Sequence, residues 1–351
     1  MSVAAGIAPF GDDQAESIRM VRDSAAGIAD GVARARALRF SMPGFSADVW
    51  RQMGELGWIG LAVPEAAGGS GLGLAEMCAL HEELGRALAP EPLIGGALSA
   101  ALLAEAGDGR FLPGLLAGES VILTAWQDRA NTLAPCLALD ATRRFIPMGA
   151  GASHFLLPMG DAISIVGAGD CDLTHEATHD GGHLTTLRAP PGEILGRVAL
   201  GPALDRAALS TAAYLLGAME AAFALTLDYL KTRQQFGKII GTFQALQHKA
   251  ADTQLQIALT RAAVEQAAAA IDGGAGGDEA SALVSRAKAR ASEASMQVGQ
   301  ACVQLSGGIG YTDDYDVGLY LRKAMVLAPM YGSAAAHRAR FMALSPDLED
   351  A

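Results

Sequence analysis

Two stretches of the chain carry groups that hold a phosphorylated ligand: an amide and unsubstituted backbone in both, and a cation in the first. The first is Arg233-Gln234-Gln235-Phe236-Gly237-Lys238, continued by Thr242-Phe243-Gln244, His248 and Asp252. An arginine here can make a charge-assisted hydrogen bond to a pyrophosphate, and the phenylalanine can pack on a flat ring. The plainer reading is a helix end, with Arg233 facing the negative pole of the dipole and Phe236-Gly237 as the stop. The second is Gln304-Leu305-Ser306-Gly307-Gly308-Ile309-Gly310-Tyr311-Thr312. Backbone without side chains lets a phosphate come close, although glycines in this number more often make a loop. No strand precedes them, so they are not a Rossmann fingerprint.

Other chemistry is excluded by what is missing. The net charge of −12 gives no basic face for nucleic acid. Cys78, Cys136, Cys171 and Cys302 are far apart and show no zinc-ligand spacing. Scattered cysteines of this kind fit a reducing, cytoplasmic setting. The first twenty residues lack a basic segment followed by an apolar one, so no signal peptide is expected. Asp228, Lys231, Arg233, Lys249, Asp252 and Arg261 interrupt the alanine-rich runs, which fits bundle helices and no membrane span.

The elements that must position these stretches follow from periodicity. Hydrophobic residues are 51% of the 351 and aromatics 5%, which favours helices packed through small side chains. Residues 1–120 read as helices with short breaks, among them 47–56 and 74–88, with a loop at Pro64 and Gly68-Gly69-Ser70-Gly71. Residues 121–200 change to short strand-like runs at 121–124, 155–157, 163–166 and 183–187, a small β-domain. Residues 201–351 read as four long helices, about 205–233, 243–271, 278–305 and 317–343, joined by short loops into a four-helix bundle. The expected fold is mainly α with a small middle β-domain.

A third stretch, Gly57-Trp58-Ile59-Gly60-Leu61-Ala62-Val63-Pro64-Glu65 with the later His81-Glu82-Glu83-Leu84-Gly85, reads by itself as a turn between helices. In order and spacing, the three stretches together resemble the acyl-CoA dehydrogenase family over nearly the whole chain. The resemblance implies an N-terminal helical domain, a middle β-domain and a C-terminal four-helix bundle. It implies FAD bound between subunits of a homo- or hetero-oligomer, an acyl-CoA substrate, and an electron-transferring flavoprotein as acceptor. Carried over residue by residue, Arg233 and Phe236 match the pair that reaches a neighbouring subunit's FAD, and Gln244 lies near the flavin nucleotide. Gln304, Gly307 and Gly308 match the residues at the pyrophosphate and adenine side. Thr124 sits where a threonine bonds the flavin ring. In Phe145-Ile146-Pro147-Met148-Gly149, Phe145 replaces the tryptophan that packs on the flavin, and Pro147 removes a hydroxyl and an amide donor. The segment between Thr124 and Phe145 is shorter than the family's.

The family's reaction needs a carboxylate to take the α-proton while the β-hydride goes to the flavin. The family glutamate position registers on Tyr331 in Met330-Tyr331-Gly332-Ser333, and Ser333 replaces a threonine near the cofactor. The alternative position, at the start of the first bundle helix, holds Ala207, with Ala208 beside it. Asp205 is the nearest acid, either a base or a first-turn helix acid. Asp313 and Asp314 read as solvated turn acids. Three functions stay open: an active FAD-dependent α,β-dehydrogenase, a catalytically weak subunit completing another chain's FAD site, and a CoA-ester binding scaffold without FAD.

Overall fold

The structure is a computed structural model that describes residues 11–28, 31–138 and 141–345. The first half of the segment read for a signal peptide, residues 1–10, lies outside the described residues.

Among the described residues six helices come first: α1 (Asp12–Ile28), α2 (Gly31–Leu38), α3 (Ala47–Glu55), α4 (Leu74–Arg86), α5 (Leu93–Glu105) and α6 (Leu112–Leu116). Helix α3 starts because the Ser46 hydroxyl accepts from the Val49 amide at 3.3 Å, satisfying an orphan donor. Its apolar stripe then buries Trp50 and Met53, and the Trp50 indole donates to the Ser120 carbonyl at 3.0 Å. Helix α5 is almost wholly apolar and packs between the bundle and the first strand.

Nine strands follow among the described residues, seven of them in the middle region: β1 (Ile122–Thr124), β2 (Arg143–Pro147), β3 (His154–Met159), β4 (Ala162–Gly167), β5 (Asp172–Ala177), β6 (His183–Arg188) and β7 (Glu193–Arg197). One sheet has the order β1-β3-β4-β7, parallel at β1–β3 and antiparallel elsewhere. The other is antiparallel β2-β6-β5. The short connection between β1 and β2 is pinned by the buried Arg143. Its guanidinium donates to the carbonyls of Ala125, Cys136, Ala138 and Pro158, and no carboxylate among the described residues bonds to it.

The bundle consists of α7 (Leu200–Thr232), α8 (Gln244–Asp272), α9 (Gly277–Ser306), α10 (Val317–Leu327) and α11 (Ala334–Leu344). The single helix expected over 317–343 is thus two. Pro329 cannot donate to the ladder, and Tyr331 and Gly332 adopt left-handed backbone with φ of 53° and 102°. The expected helix stop at Phe236-Gly237 is instead a hairpin turn between β8 (Gln234–Gln235) and β9 (Lys238–Ile239). Both turn residues have positive φ, 51° and 76°, as a two-residue primed turn requires. By length and hydropathy α7 could cross a membrane, yet 78% of its most apolar stretch is buried inside the protein.

Helices α4 and α7 cross so closely that a Cβ on Gly85 would meet the Tyr214 carbonyl oxygen at 2.0 Å, and one on Gly217 the Glu82 oxygen at 1.8 Å. The His81-to-Gly85 stretch lies inside α4, within the helix expected over 74–88. Burial works against the charge on Glu82, but hydrogen bonds and ion pairs with Arg22 and Arg261 prevail and hold its carboxyl down at about 2.

Candidate functional site

A cleft with about 860 Å³ of open space, solvent at its mouth included, lies where α4, α5, α7 and α10 meet the β region. Leu84, Leu93, Ile94, Leu123, Ile146, Met148 and Leu327 make its wall apolar. Thr124 lines it from β1, and its hydroxyl pairs with Ser99 at 2.9 Å, while Ser99 reaches the Gly95 carbonyl at 3.1 Å.

Two carboxylates line the cleft among the described residues, Glu91 and Asp180. Each is held by a cation. Arg34 from α2 clamps Glu91 through both oxygens. Lys323 from α10 lies 2.5 Å from Asp180, which also accepts from Thr178 and from the Gly182 amide. Burial works against the charged form of Asp180, but Lys323 and these hydrogen bonds prevail and hold its carboxyl below the usual range.

Tyr331 closes one side of the cleft. Its ring stacks on Trp126, with centroids 6.2 Å apart and planes 12° apart. Burial pushes its phenol above the ordinary range, so at neutral pH it is a neutral hydroxyl. Two buried bases fix the break between α10 and α11 that presents it. Lys288 of α9 donates to Ser292 at 2.8 Å and to the carbonyls of Ala328 at 2.8 Å and Gly332 at 3.1 Å. His337 of α11 donates through Nε2 to the Tyr331 carbonyl at 2.8 Å. Burial without any counter-charge lowers Lys288 to about 7. Burial, reinforced by Lys288, lowers His337 to about 3.

On the far side of Tyr331 is a smaller pocket lined by Trp126, Leu133, Asp205, Ala208, His337 and Arg340. Asp205 sits in the second turn of α7, beyond the first-turn position read from the sequence. It pairs with Arg340 at 2.5 Å and accepts from Ser281 at 2.7 Å. Ala207 faces a third cavity, apolar and lined by Trp58, Met77 and Leu98.

The remaining predicted residues lie elsewhere. Arg233, Phe236, Gln244, Gln304, Gly307 and Gly308 are all exposed. They occupy the ends of α7, α8 and α9 that meet at one end of the bundle, where Tyr315 donates to the Leu225 carbonyl at 2.7 Å. None of them lines the cleft. Phe236 is 90% exposed and lies edge-on to Phe243. A Cβ on Gly307 or Gly308 would meet nothing within 4 Å, so that backbone is open to a ligand. Phe145 is half-buried with φ of 63° at a bulge in β2; its neighbours Ile146, Pro147 and Met148 line the cleft while Phe145 does not. The Ser333 hydroxyl caps α11, accepting from the Ala336 amide at 3.3 Å. Asp313 is not a free turn acid: Arg36, Arg39 and Arg322 surround it.

Models of the acyl-CoA dehydrogenase N-terminal and C-terminal domains match residues 15–119 and 196–343. Acyl-CoA dehydrogenase IpdE2 of Mycobacterium tuberculosis is 31% identical over 88% of this chain and 91% of its own length. The chain belongs to the acyl-CoA dehydrogenase family. Acyl-CoA dehydrogenase FadE34 of the same organism is 30% identical over 97% of this chain but 49% of its own length. Among solved structures, a variant of the Tcur3481-Tcur3483 steroid ACAD superposes with a TM-score of 0.86, at 30% identity over 96% of this chain and 100% of that one. The ChsE4-ChsE5 complex from Mycobacterium tuberculosis gives 0.84, at 25% identity over 97% and 98%.

This family member thus has a mostly helical fold with a small β region. Sequence reasoning missed Glu91, Asp180, Lys288 and His337. Glu91 lies between Pro90 and Pro92, a visible sign of a constrained loop. The other three carry no local signal, because their roles depend on partners far away along the chain.

Proposed function

We propose that this chain is one subunit of an FAD-dependent acyl-CoA dehydrogenase made of two related chains. It offers Arg233, Phe236, Gln244, Gln304, Gly307 and Gly308 to an FAD whose reacting ring lies in the partner, and the partner carries the base. The observation that carries this reading is the state of the acids. Glu91 is bound by Arg34, Asp180 by Lys323 and Asp205 by Arg340, and the register read from the sequence puts Tyr331 at the glutamate position.

Removal of the α-proton needs a carboxylate free to reach the substrate, and each of these three is engaged in an ion pair. A buried, neutral Tyr331 phenol cannot take a proton at neutral pH. Bound FAD supplies the acceptor for the β-hydride. The exposed Arg233 guanidinium and the open backbone at Gly307 and Gly308 fit its pyrophosphate. This chain's own cleft fits the flavin ring less well. The Thr124 hydroxyl is engaged with Ser99, and Pro147 offers no amide. Similarity to a two-chain complex agrees with this division of labour.

The self-sufficient dehydrogenase is the second reading, favoured by the retained apolar cleft. Its base would be Glu91, freed from Arg34. A scaffold without FAD is disfavoured by the exposed Arg233 and Phe236, which serve a cofactor and not an acyl group.

The test is Arg233→Ala in the assembled two-chain enzyme. Loss of a charge-assisted bond should weaken FAD retention about tenfold or more. Full FAD occupancy through dilution and dialysis would contradict the assignment.

A further inference from the structure

Among the described residues, Tyr331 alone lines both the large cleft and the smaller pocket beyond it. Its side chain reaches from the break between α10 and α11 towards α5. A Cβ built on Gly95 would lie 3.9 Å from its hydroxyl, and Gly95 belongs to the cleft wall. On the other flank the ring stacks on Trp126, which lines the smaller pocket. Only 9% of Tyr331 is exposed, so the ring fills the gap between the two chambers.

The backbone that carries the ring is fixed on every side. Tyr331 holds a left-handed φ of 53°, which a bulky side chain adopts only where its surroundings impose it. His337 donates to its carbonyl at 2.8 Å, and Lys288 donates to the carbonyls of Ala328 and Gly332 on either side of it. A Cβ on Gly332 would meet a Leu133 methyl at 2.3 Å, so the break is packed tightly against the β1–β2 connection. The two chambers differ in chemistry. The cleft wall is apolar, whereas the smaller pocket carries the Asp205–Arg340 pair, and Arg340 keeps 25% of its side chain exposed. Joined, they would form one channel with an apolar interior and a charged end towards solvent, which suits an amphipathic ligand.

We propose that the Tyr331 side chain is a barrier that cuts this channel in two and keeps an extended acyl thioester out of the chain's own cleft. Tyr331 is then a specificity-determining residue that acts by bulk. The phenylalanine variant keeps the barrier, and a variant without the ring opens it. The inference deepens the subunit reading and rests on it: a chain that lends groups to its partner's FAD keeps its own cleft closed, so the ester binds in the partner only.

The experiment counts ligand sites on the assembled two-chain enzyme by isothermal titration calorimetry. The probe is S-octyl-CoA, a thioether without the carbonyl that acidifies the α-proton, so binding is read without turnover. The unaltered enzyme and Tyr331→Phe are expected to bind one probe per pair of chains, and Tyr331→Gly two. Glycine is at ease at this φ, so the variant does not add backbone strain. Urea midpoints check that it folds. Tyr331→Leu keeps more of the buried apolar volume yet is too short to reach Gly95; it replaces the glycine variant if that one does not fold, with two sites again expected. Two sites per pair on the unaltered enzyme overturn the barrier, and this outcome needs no variant. A single site on a folded ring-less variant overturns it as well. Flavin absorbance of the same samples tests the subunit reading separately. One flavin per pair supports that reading whatever the probe count, and a flavin on each chain contradicts it.

Discussion

The Asp205 carboxylate lies 2.5 Å from Nη2 of Arg340, 135 residues away in sequence, and takes a second hydrogen bond from Ser281. That contact ties the start of α7 to the last described helix. It turns the one acid near the family's alternative base position into a structural link. Asp205→Asn should therefore lower stability by about 1–3 kcal/mol, because it leaves Arg340 partly buried without its counter-charge. Turnover of the assembled enzyme should persist. Urea denaturation and acyl-CoA turnover on the same preparation check this; lost turnover at unchanged stability would make Asp205 the base after all.

Tyr331→Phe should leave the turnover of the assembled enzyme unchanged. The ring keeps its stack on Trp126, and the phenol, raised by burial, has no proton-transfer role at neutral pH. A fall of tenfold or more in kcat with intact Trp126 fluorescence would give the hydroxyl a part in the chemistry.

The bases under Tyr331 make stability depend on pH in a definite sense. Lys288 is lowered from 10.5 to about 7 and His337 from 6.5 to about 3. Between the folded and unfolded values of each group the unfolded chain binds more protons, so stability rises with pH there. The penalty for burying charged Lys288 is fully present below about pH 7 and is relieved as pH rises towards 10.5. The penalty for charging His337 appears as pH falls from 6.5 towards about 3. The Lys288→Met variant should lose the rise above pH 7 and keep the acid loss, read from urea midpoints between pH 4 and 9, a range taken from these values. An unchanged slope above pH 7 would mean that Lys288 is not the titrating group.

The helical parts of this fold were legible because their apolar positions repeat along the chain. Helices α3, α4, α7, α8 and α9 lie within a few residues of their expected bounds. The break at 328–333 was marked by Pro329 and Gly332 but hidden by the apolar residues on either side. Strands β5 and β7 were missed because their residues are mostly exposed and show no apolar alternation. At the site, position could be read but pairing could not. Tyr331 was visible as a replacement, whereas the cations that engage Glu91, Asp180 and Asp205 come from α2, α10 and α11. Contacts between distant elements leave no pattern in a single sequence.

The visible absorption spectrum of this chain, purified alone and then together with a related chain that carries the family glutamate, tests the account most directly. It predicts little or no bound flavin on the chain alone, and flavin in the assembled pair that acyl-CoA bleaches. One flavin per chain on the isolated protein, bleached by acyl-CoA without any partner, would contradict it and show that this chain holds both a complete FAD site and a base of its own.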